Sequence, residues 1–277
     1  MIVVGQAAVR QHEAVTEPSL HSSGAELLEV HRLRLVEAPA PHVSSEDRLA
    51  LDRAWEEAVR ANPSFFDGPV VASAGLTWEG PHSVVLAWVR TTYRHYALRR
   101  VPGAASWLPS LFVAIVQPTE DGRLLAGRMS PTTASPGRWQ LPGGSVEPPD
   151  DHEPLDVAAL RRHAARELVE ETGIDTASDD LTLWGVTRGE NGSIGVLFLA
   201  PCQPAALLRK RFAALVSAET ALGREPELDR IAFVRSPAEL ADLGGALVDY
   251  LEPVVRRYAE ERSGAMSDPN RSLDDGG

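Results

Sequence analysis

The chain has 277 residues, 27 basic against 39 acidic side chains, a formal charge of −12 and one cysteine. That length allows one large domain or two small ones, with enough chain to bury a core. The acidic balance argues against a nucleic-acid binder that works through a broad basic surface, and it means that a phosphate-bearing ligand needs local cations. The lone Cys202 excludes an intrachain disulfide framework and a cysteine-based zinc site. No apolar run approaches the ~20 residues of a membrane span. The start Met1-Ile2-Val3-Val4-Gly5 lacks the basic and long apolar regions of a signal peptide, so a cytoplasmic protein is expected. Lys210 is the only lysine; with the many Ala, Gly and Pro this suggests a GC-rich, bacterial coding sequence.

In chain order, residues 1–24 carry little pattern and read as a loose arm. Partial alternation over 27–36 (Leu28, Val30, Leu33, Leu35) suggests strands. Ser44-Ser45-Glu46-Asp47 opens a helix, with Leu49, Leu51, Trp55, Ala58 and Val59 near helical spacing, and Asn62-Pro63 ends it. A turn at 65–69 precedes strands over 70–100, including the run Tyr93-Arg94-His95-Tyr96. The apolar run 111–116 has strand character, and Asp121-Gly122 is a hairpin signal before Leu124-Leu125-Ala126. A loop over 130–142 leads to Gly143-Gly144. A helix over about 155–172 follows, with Gly173 where a C-cap glycine belongs. Strands are predicted at 181–186, 194–200 and 230–234, with a helix over 204–221 between the last two. Ser236-Pro237-Ala238-Glu239 has the form of a capping box with proline at the first helical position. The polar, Gly- and Asp-rich residues 263–277 read as disordered.

Chemistry concentrates in Arg166-Glu167-Leu168-Val169-Glu170-Glu171-Thr172-Gly173-Ile174. At about 100° per residue, Glu167, Glu170 and Glu171 share one helical face. Three carboxylates side by side repel one another, and in the last turns of a helix the dipole disfavours them further. A solvated acidic face is the plain alternative; a bound cation is the chemical one. All-oxygen ligands favour Mg²⁺ or Mn²⁺ over zinc. Arg166 is four residues from Glu170 and so within reach of it. Upstream, Pro136-Gly137-Arg138-Trp139-Gln140-Leu141-Pro142-Gly143-Gly144 offers a backbone that can approach metal and phosphate closely.

Together these segments resemble the Nudix hydrolase signature: a glycine loop, then Arg-Glu-aliphatic-x-Glu-Glu-x-Gly-aliphatic. One departure stands out. The signature places a further glutamate between loop and helix; counting from Gly144 that position holds Asp150, and counting back from Arg166 it holds Ala158, so the loop is eight residues too long. Glu147, Asp150, Asp151, Glu153 and Asp156 are all candidates for the missing role. Asn62-Pro63, Phe66-Asp67-Gly68-Pro69, Thr92-Tyr93-Arg94-x-Tyr96, Glu147-Pro148 and Gly185-Val186-Thr187-Arg188 further resemble the UDP-glucose/UDP-galactose pyrophosphatase branch.

The resemblance implies an α/β fold, a Nudix α/β/α sandwich with a mixed sheet plus an N-terminal β-rich subdomain. The expected division is 1–107 for that subdomain with one helix, 108–262 for the Nudix domain and 263–277 for a disordered tail. It implies Mg²⁺- or Mn²⁺-dependent hydrolysis of a nucleoside diphosphate linked to another moiety. The first choice is a UDP-sugar giving UMP and a sugar 1-phosphate. The alternatives are ADP-ribose, another nucleotide-sugar, or a catalytically silent nucleotide-binding module. Glu167, Glu170, Glu171 and the Gly144 backbone are the implied metal ligands. Arg166 and Glu227 join those glutamates in the catalytic set, with Glu167 as another candidate base and Glu225 as a neighbouring loop acid. Arg128, Arg138, Gly143, Gly144, Tyr93 and Arg94 are the implied substrate contacts. His163 reads as a surface or packing residue and Cys202 as a small buried side chain. The expected partner is a small-molecule substrate, without nucleic acid or membrane, and a homodimer is left open.

Overall fold

The computed structural model describes residues 24–104, 106–150 and 153–267. The expected loose arm before residue 24, and the expected tail from residue 268 on, lie outside them. Two strands, β1 (Glu26–Leu28) and β2 (Arg32–Glu37), precede helix α1 (Ser45–Ala61). Ser44 caps α1 by accepting from Asp47 N at 3.0 Å, as its sequence promised. The long antiparallel pair β3 (Pro69–Gly80) and β4 (Ser83–Thr92) follows, and β2 runs parallel to β4 to complete a three-stranded sheet.

Residues 93–100, expected as strand, instead form a 3-10 helix (Tyr93–Arg100). The reason lies in tertiary partners. Asp67 Oδ1 accepts from Arg94 N at 2.9 Å and Gly68 O accepts from Tyr93 N at 2.9 Å. These bonds turn the chain, and Leu98 buries against Leu51 of α1. A three-residue repeat brings Tyr93 and Tyr96 edge to face, with ring centroids 5.5 Å apart.

The second half holds β5 (Leu111–Val116), β6 (Leu124–Met129), the short β7 (Trp139–Gln140), helix α2 (Val157–Thr172), β8 (Thr182–Arg188), β9 (Ile194–Leu199), α3 (Ala205–Ala221), β10 (Leu228–Val234), the four-residue α4 (Pro237–Leu240) and α5 (Leu251–Ser267). A four-stranded mixed sheet has the order β1-β8-β9-β5, with β5 parallel to β9, and an antiparallel sheet has the order β10-β6-β7. The N-terminal β1 therefore belongs to the sheet of the second half. The turn at Asp121-Gly122 forms as expected, with Thr119 N bonded to Arg123 O at 2.7 Å, but β5 and β6 then part into different sheets. Between them stands Pro118, which has no N–H to donate to a ladder.

Both faces of the four-stranded sheet are covered. Val113 and Ile115 of β5, with Val196 and Phe198 of β9, pack in a core with Leu160, Ala164 and Leu168 of α2. The alternate residues Ala114, Val116 and Leu197 pack with Leu251, Val254 and Val255 of α5. This is the alternation of the pleat, made apolar on both sides because helices cover both sides. Val71, Val84, Leu86 and Trp88 of the three-stranded sheet join the α2-side core, so packing is continuous between the two halves.

Smaller expectations change. Ser236 makes no capping bond; Glu239 Oε2 accepts instead from Arg235 N at 2.9 Å, and α4 is too short for a reciprocal box. Helix α5 runs on to Ser267, into the polar stretch. Cys202 is exposed rather than buried. No helix among the described residues is long and apolar enough to cross a membrane.

Burial pushes the Tyr96 and Tyr250 hydroxyls well above the ordinary phenol range. Above about pH 10 the unfolded chain then binds fewer protons than the folded one, so the stability these groups contribute is intact below that pH and lost as pH rises through it. Denaturant unfolding between about pH 8 and pH 11 should show this alkaline loss. Tyr96 Oη donates to Val71 O at 3.0 Å. Tyr96→Phe should therefore lose about 1 kcal/mol at neutral pH and show a shallower alkaline fall; an unchanged slope would count against the assignment.

Candidate active site

Helix α2 starts at Asp156, whose Oδ1 accepts from Ala159 N at 2.8 Å, and ends at Gly173, left-handed at φ 70°. Leu160, Ala164 and Leu168, spaced by four, seat it on β5. That orientation fixes the acidic face. Glu171 is 1% exposed and fully inside; Glu167 is mostly covered and Glu170 is open.

The glycine loop meets this face. It is zipped along β5 by Ile115 N to Pro142 O at 2.8 Å and Val113 N to Gly144 O at 3.0 Å. At Gly143 (φ 150°) a Cβ would stand 2.1 Å from the backbone oxygen of Val113, so only glycine fits. Gly143 N donates to Glu171 Oε2 at 2.7 Å. At Gly144 a Cβ would stand 2.6 Å from the Glu167 carboxyl carbon. The two glycines thus lie directly against two of the three glutamates.

Burial, then the charge of Glu227, raises the Glu171 carboxyl well above the usual range, despite its bond from Gly143 N. Glu227, in the loop before β10, is raised by desolvation and by the charges of Glu167 and Glu170. Four carboxylates therefore converge. Glu171 Oε1 is buried without a hydrogen-bond partner. An ionised carboxylate in that position is costly unless a cation meets it, and an all-oxygen set of acids suits a hard divalent ion.

Arg166 does not pair with Glu170. Its guanidinium reaches Glu147 Oε2 at 3.2 Å and His163 Nδ1 at 2.5 Å, because Glu147 comes back over α2 on the lengthened loop. His163, expected as a bystander, is buried. Its Nε2 lies 3.1 Å from Glu167 Oε1 and 3.0 Å from Ser145 O. With Nδ1 accepting from Arg166, Nε2 is the nitrogen that carries the proton; it donates to Ser145 O, with the Glu167 carboxylate close alongside. The four-residue spacing to Glu167 was the available signal. Of the other loop acids, Asp156 is the helix cap, Asp150 and Glu153 are exposed, and Asp151 lies outside the described residues.

A cleft of about 620 Å³ is lined by Gly143, Gly144, Glu227 and Arg138 and by the aromatic side chains Trp55, Phe65 and Tyr93. Arg138 donates to Leu247 O at 2.9 Å, and its buried Nε has no partner. Tyr93 and Trp55 sit edge to face, 6.5 Å between centroids. Two expected contacts are elsewhere. Arg128 is held in a fork by Asp229, both bonds 2.8 Å, and Arg94 is paired with Asp52 of α1; neither lines the cleft. Arg99 and Arg100 line it instead. They fell within a segment read as strand, where alternate residues would point apart.

The two glycines differ in what a methyl group would meet. Gly144→Ala presses on the far end of a flexible side chain, so it should leave the unfolding midpoint nearly unchanged while weakening any divalent-metal binding at the glutamates by about tenfold. Gly143→Ala meets backbone and should destabilise by about 1–3 kcal/mol. Calorimetry and denaturant unfolding of the two variants check both.

The model of the NUDIX domain matches residues 109–250, just over half of the chain. No curated protein matches it. Among solved structures, the chain is similar to the MutT protein from Methanosarcina mazei Go1 at 22% identity, covering 56% of this chain and 96% of that one, with a TM-score of 0.36. It is similar to the E. coli ORF135 protein at 21% identity, covering 57% and 94%, with a TM-score of 0.36. It is also similar to the NUDIX domain of Shewanella oneidensis NrtR, solved with ADP ribose, at 19% identity, covering 62% and 99%, with a TM-score of 0.36. With the domain match spanning the glycine loop, α2 and the strands that hold them, the chain belongs to the NUDIX domain family and is a Nudix-type pyrophosphohydrolase.

Proposed function

We propose that the chain hydrolyses the pyrophosphate bond of a nucleoside diphosphate joined to a second moiety, with a UDP-sugar such as UDP-glucose as substrate and UMP and a sugar 1-phosphate as products. The observation that carries this reading is the meeting of Gly143 and Gly144 with Glu171 and Glu167 beside a cleft of about 620 Å³, a volume suited to a small-molecule ligand.

Glu167, Glu170 and Glu171, with the Gly144 backbone, would hold Mg²⁺ or Mn²⁺. When bound, the ion offsets diphosphate charge, lowers the pKa of water and stabilises the leaving phosphate. The orphaned Glu171 Oε1 and the convergence of acids support that fit. Arg138, with Arg99 and Arg100, supplies the local cations that an anionic substrate needs in an acidic chain. Glu227 takes the proton of the attacking water: its raised pKa brings it nearer to a base that works at neutral pH. The water oxygen bonds to phosphorus as the bridging P–O bond breaks. His163 positions Glu167, and Arg166 is a positioning residue through His163 and Glu147.

The choice of a UDP-sugar rests on the motifs shared with that branch, which form joints of one wall of the cleft. Asn62 Nδ2 donates to Thr133 O at 3.0 Å, and Asp67 and Gly68 turn the chain at Tyr93. Tyr93 and Phe65 offer ring faces to a base or sugar.

Phosphatase-coupled release from UDP-glucose, UDP-galactose and ADP-ribose with Mg²⁺ or Mn²⁺ tests the reading. Turnover of a UDP-sugar is expected, and Glu170→Gln should lower kcat about 100-fold or more. Turnover of ADP-ribose alone would overturn the sugar assignment. Silence with every compound and both ions would favour a binding module. His163→Leu should raise the Mg²⁺ concentration for half-activity about tenfold. His163→Gln, which keeps an N–H beside Ser145 O and Glu167, should recover part of that loss; equal losses would remove His163 from the positioning role.

A further inference from the structure

Away from the cleft, the connector between β1 and β2 meets the turn between β3 and β4. His82, in that turn, is the one non-glycine residue with positive φ among those described, at 56°. Its carbonyl accepts from His31 N at 2.8 Å and Arg32 N at 3.0 Å. These two bonds fix the turn against the connector and bring the His31 and His82 rings into a stack, with centroids 4.5 Å apart and planes 21° from parallel. Both rings come near Glu29: His31 Nε2 is 3.2 Å and His82 Nδ1 3.7 Å from its Oε1, and His82 Nδ1 is 3.3 Å from its backbone oxygen, a bond that a metal would replace.

We propose that Glu29, His31 and His82 form a binding site for a divalent transition metal, with Zn²⁺ as its chemical match. The ligand atoms of the three residues all lie within 4.8 Å of one another. Zinc bonds of about 2.0–2.2 Å in tetrahedral geometry place neighbouring ligand atoms about 3.3–3.5 Å apart, and the distances to Glu29 Oε1 bracket that edge. Ion pairing alone accounts for the cluster less well. Two protonated imidazoles stacked at this distance repel each other, whereas two neutral ones and a carboxylate can share a cation once the exposed rings turn out of the stack to aim their in-plane lone pairs at it. Two imidazole nitrogens and one carboxylate oxygen favour Zn²⁺, Cu²⁺ or Ni²⁺ over Mg²⁺. All three residues are exposed, so water can complete the coordination. None of them lines the cleft, so the site is independent of the hydrolytic one. Bound there, the metal would clip the connector leaving β1 to the far turn of the three-stranded sheet.

The test uses the tag-free full chain, stripped with chelator and titrated with Zn²⁺ by calorimetry in excess Mg²⁺, which saturates the hard acidic site. One Zn²⁺ should bind, and Zn²⁺ but not Mg²⁺ should shift the His31 and His82 ring resonances. His31→Ala should weaken binding about tenfold or more, as the loss of a direct ligand exceeds that of an outer partner. His82→Asn should do the same while keeping the turn, because asparagine tolerates positive φ. Glu170→Gln should leave Zn²⁺ binding unchanged. Equal Zn²⁺ affinity in the wild type and both histidine variants, loss of binding in Glu170→Gln, or no binding in excess Mg²⁺ would each overturn the proposal.

Discussion

The hydrogen bond from Gly143 N to Glu171 Oε2, 2.7 Å long, ties together the three parts that make the site. The loop can donate it only because Gly143 lies against the Val113 carbonyl with no side chain between them. Strand β5 can receive the loop because it is held by β9 on one side and covered by α2 and α5 on its two faces. Helix α2 can present Glu171 there because Leu160, Ala164 and Leu168 leave it one way to pack. One N–H offsets only part of the price of a buried carboxylate near a helix C-terminus. The remaining deficit is what a divalent cation would offset under the proposed function.

The features legible in the sequence are those set by short-range pattern. The N-cap of α1, the C-cap glycine of α2, the glycine loop, the short apolar run of β5 and the shared face of the glutamates all follow from residues a few positions apart. Long-range partners were hidden. Arg128 has the chemistry of a phosphate ligand, yet Asp229, 101 positions away in the chain, takes both arms of its fork. Arg94 is claimed by Asp52 of α1. The turn at Asp67-Gly68 makes residues 93–100 helical, which brings Arg99 and Arg100 to the cleft where a strand reading would not look. His163 was visible at the right spacing, but its burial and its contact with Ser145 depend on where the loop returns.

The charge of −12 is distributed unevenly. Outside the cleft, many arginines are matched to acids: Arg188 with Glu26, Arg224 with Glu219, Arg257 with Glu261. Such surface pairs add about 0–1 kcal/mol each, so their main effect is to occupy guanidinium groups. Arg138 lines the cleft, and its buried Nε has no hydrogen-bond partner. Arg99, Arg100 and Arg138 line the cleft beside Glu227, while the glutamates of α2 gather against the glycine loop, so cations and acids face a ligand from different sides.

Strand β1 pairs with β8, and Glu26 is linked to Arg188 across 162 positions of chain. It covers an edge of the four-stranded sheet that would otherwise be open to pairing with another chain. During synthesis, however, β1 leaves the ribosome long before its partner exists. Strand β1 must wait unpaired until the residues of β8, more than 150 positions further on, have been made. The central sheet therefore completes late, through contacts of high sequence separation, and this favours slow closure over domain-by-domain folding. The covered edge of the finished molecule is an exposed one for much of its assembly, which makes that interval the point at which the chain is most open to wrong partners.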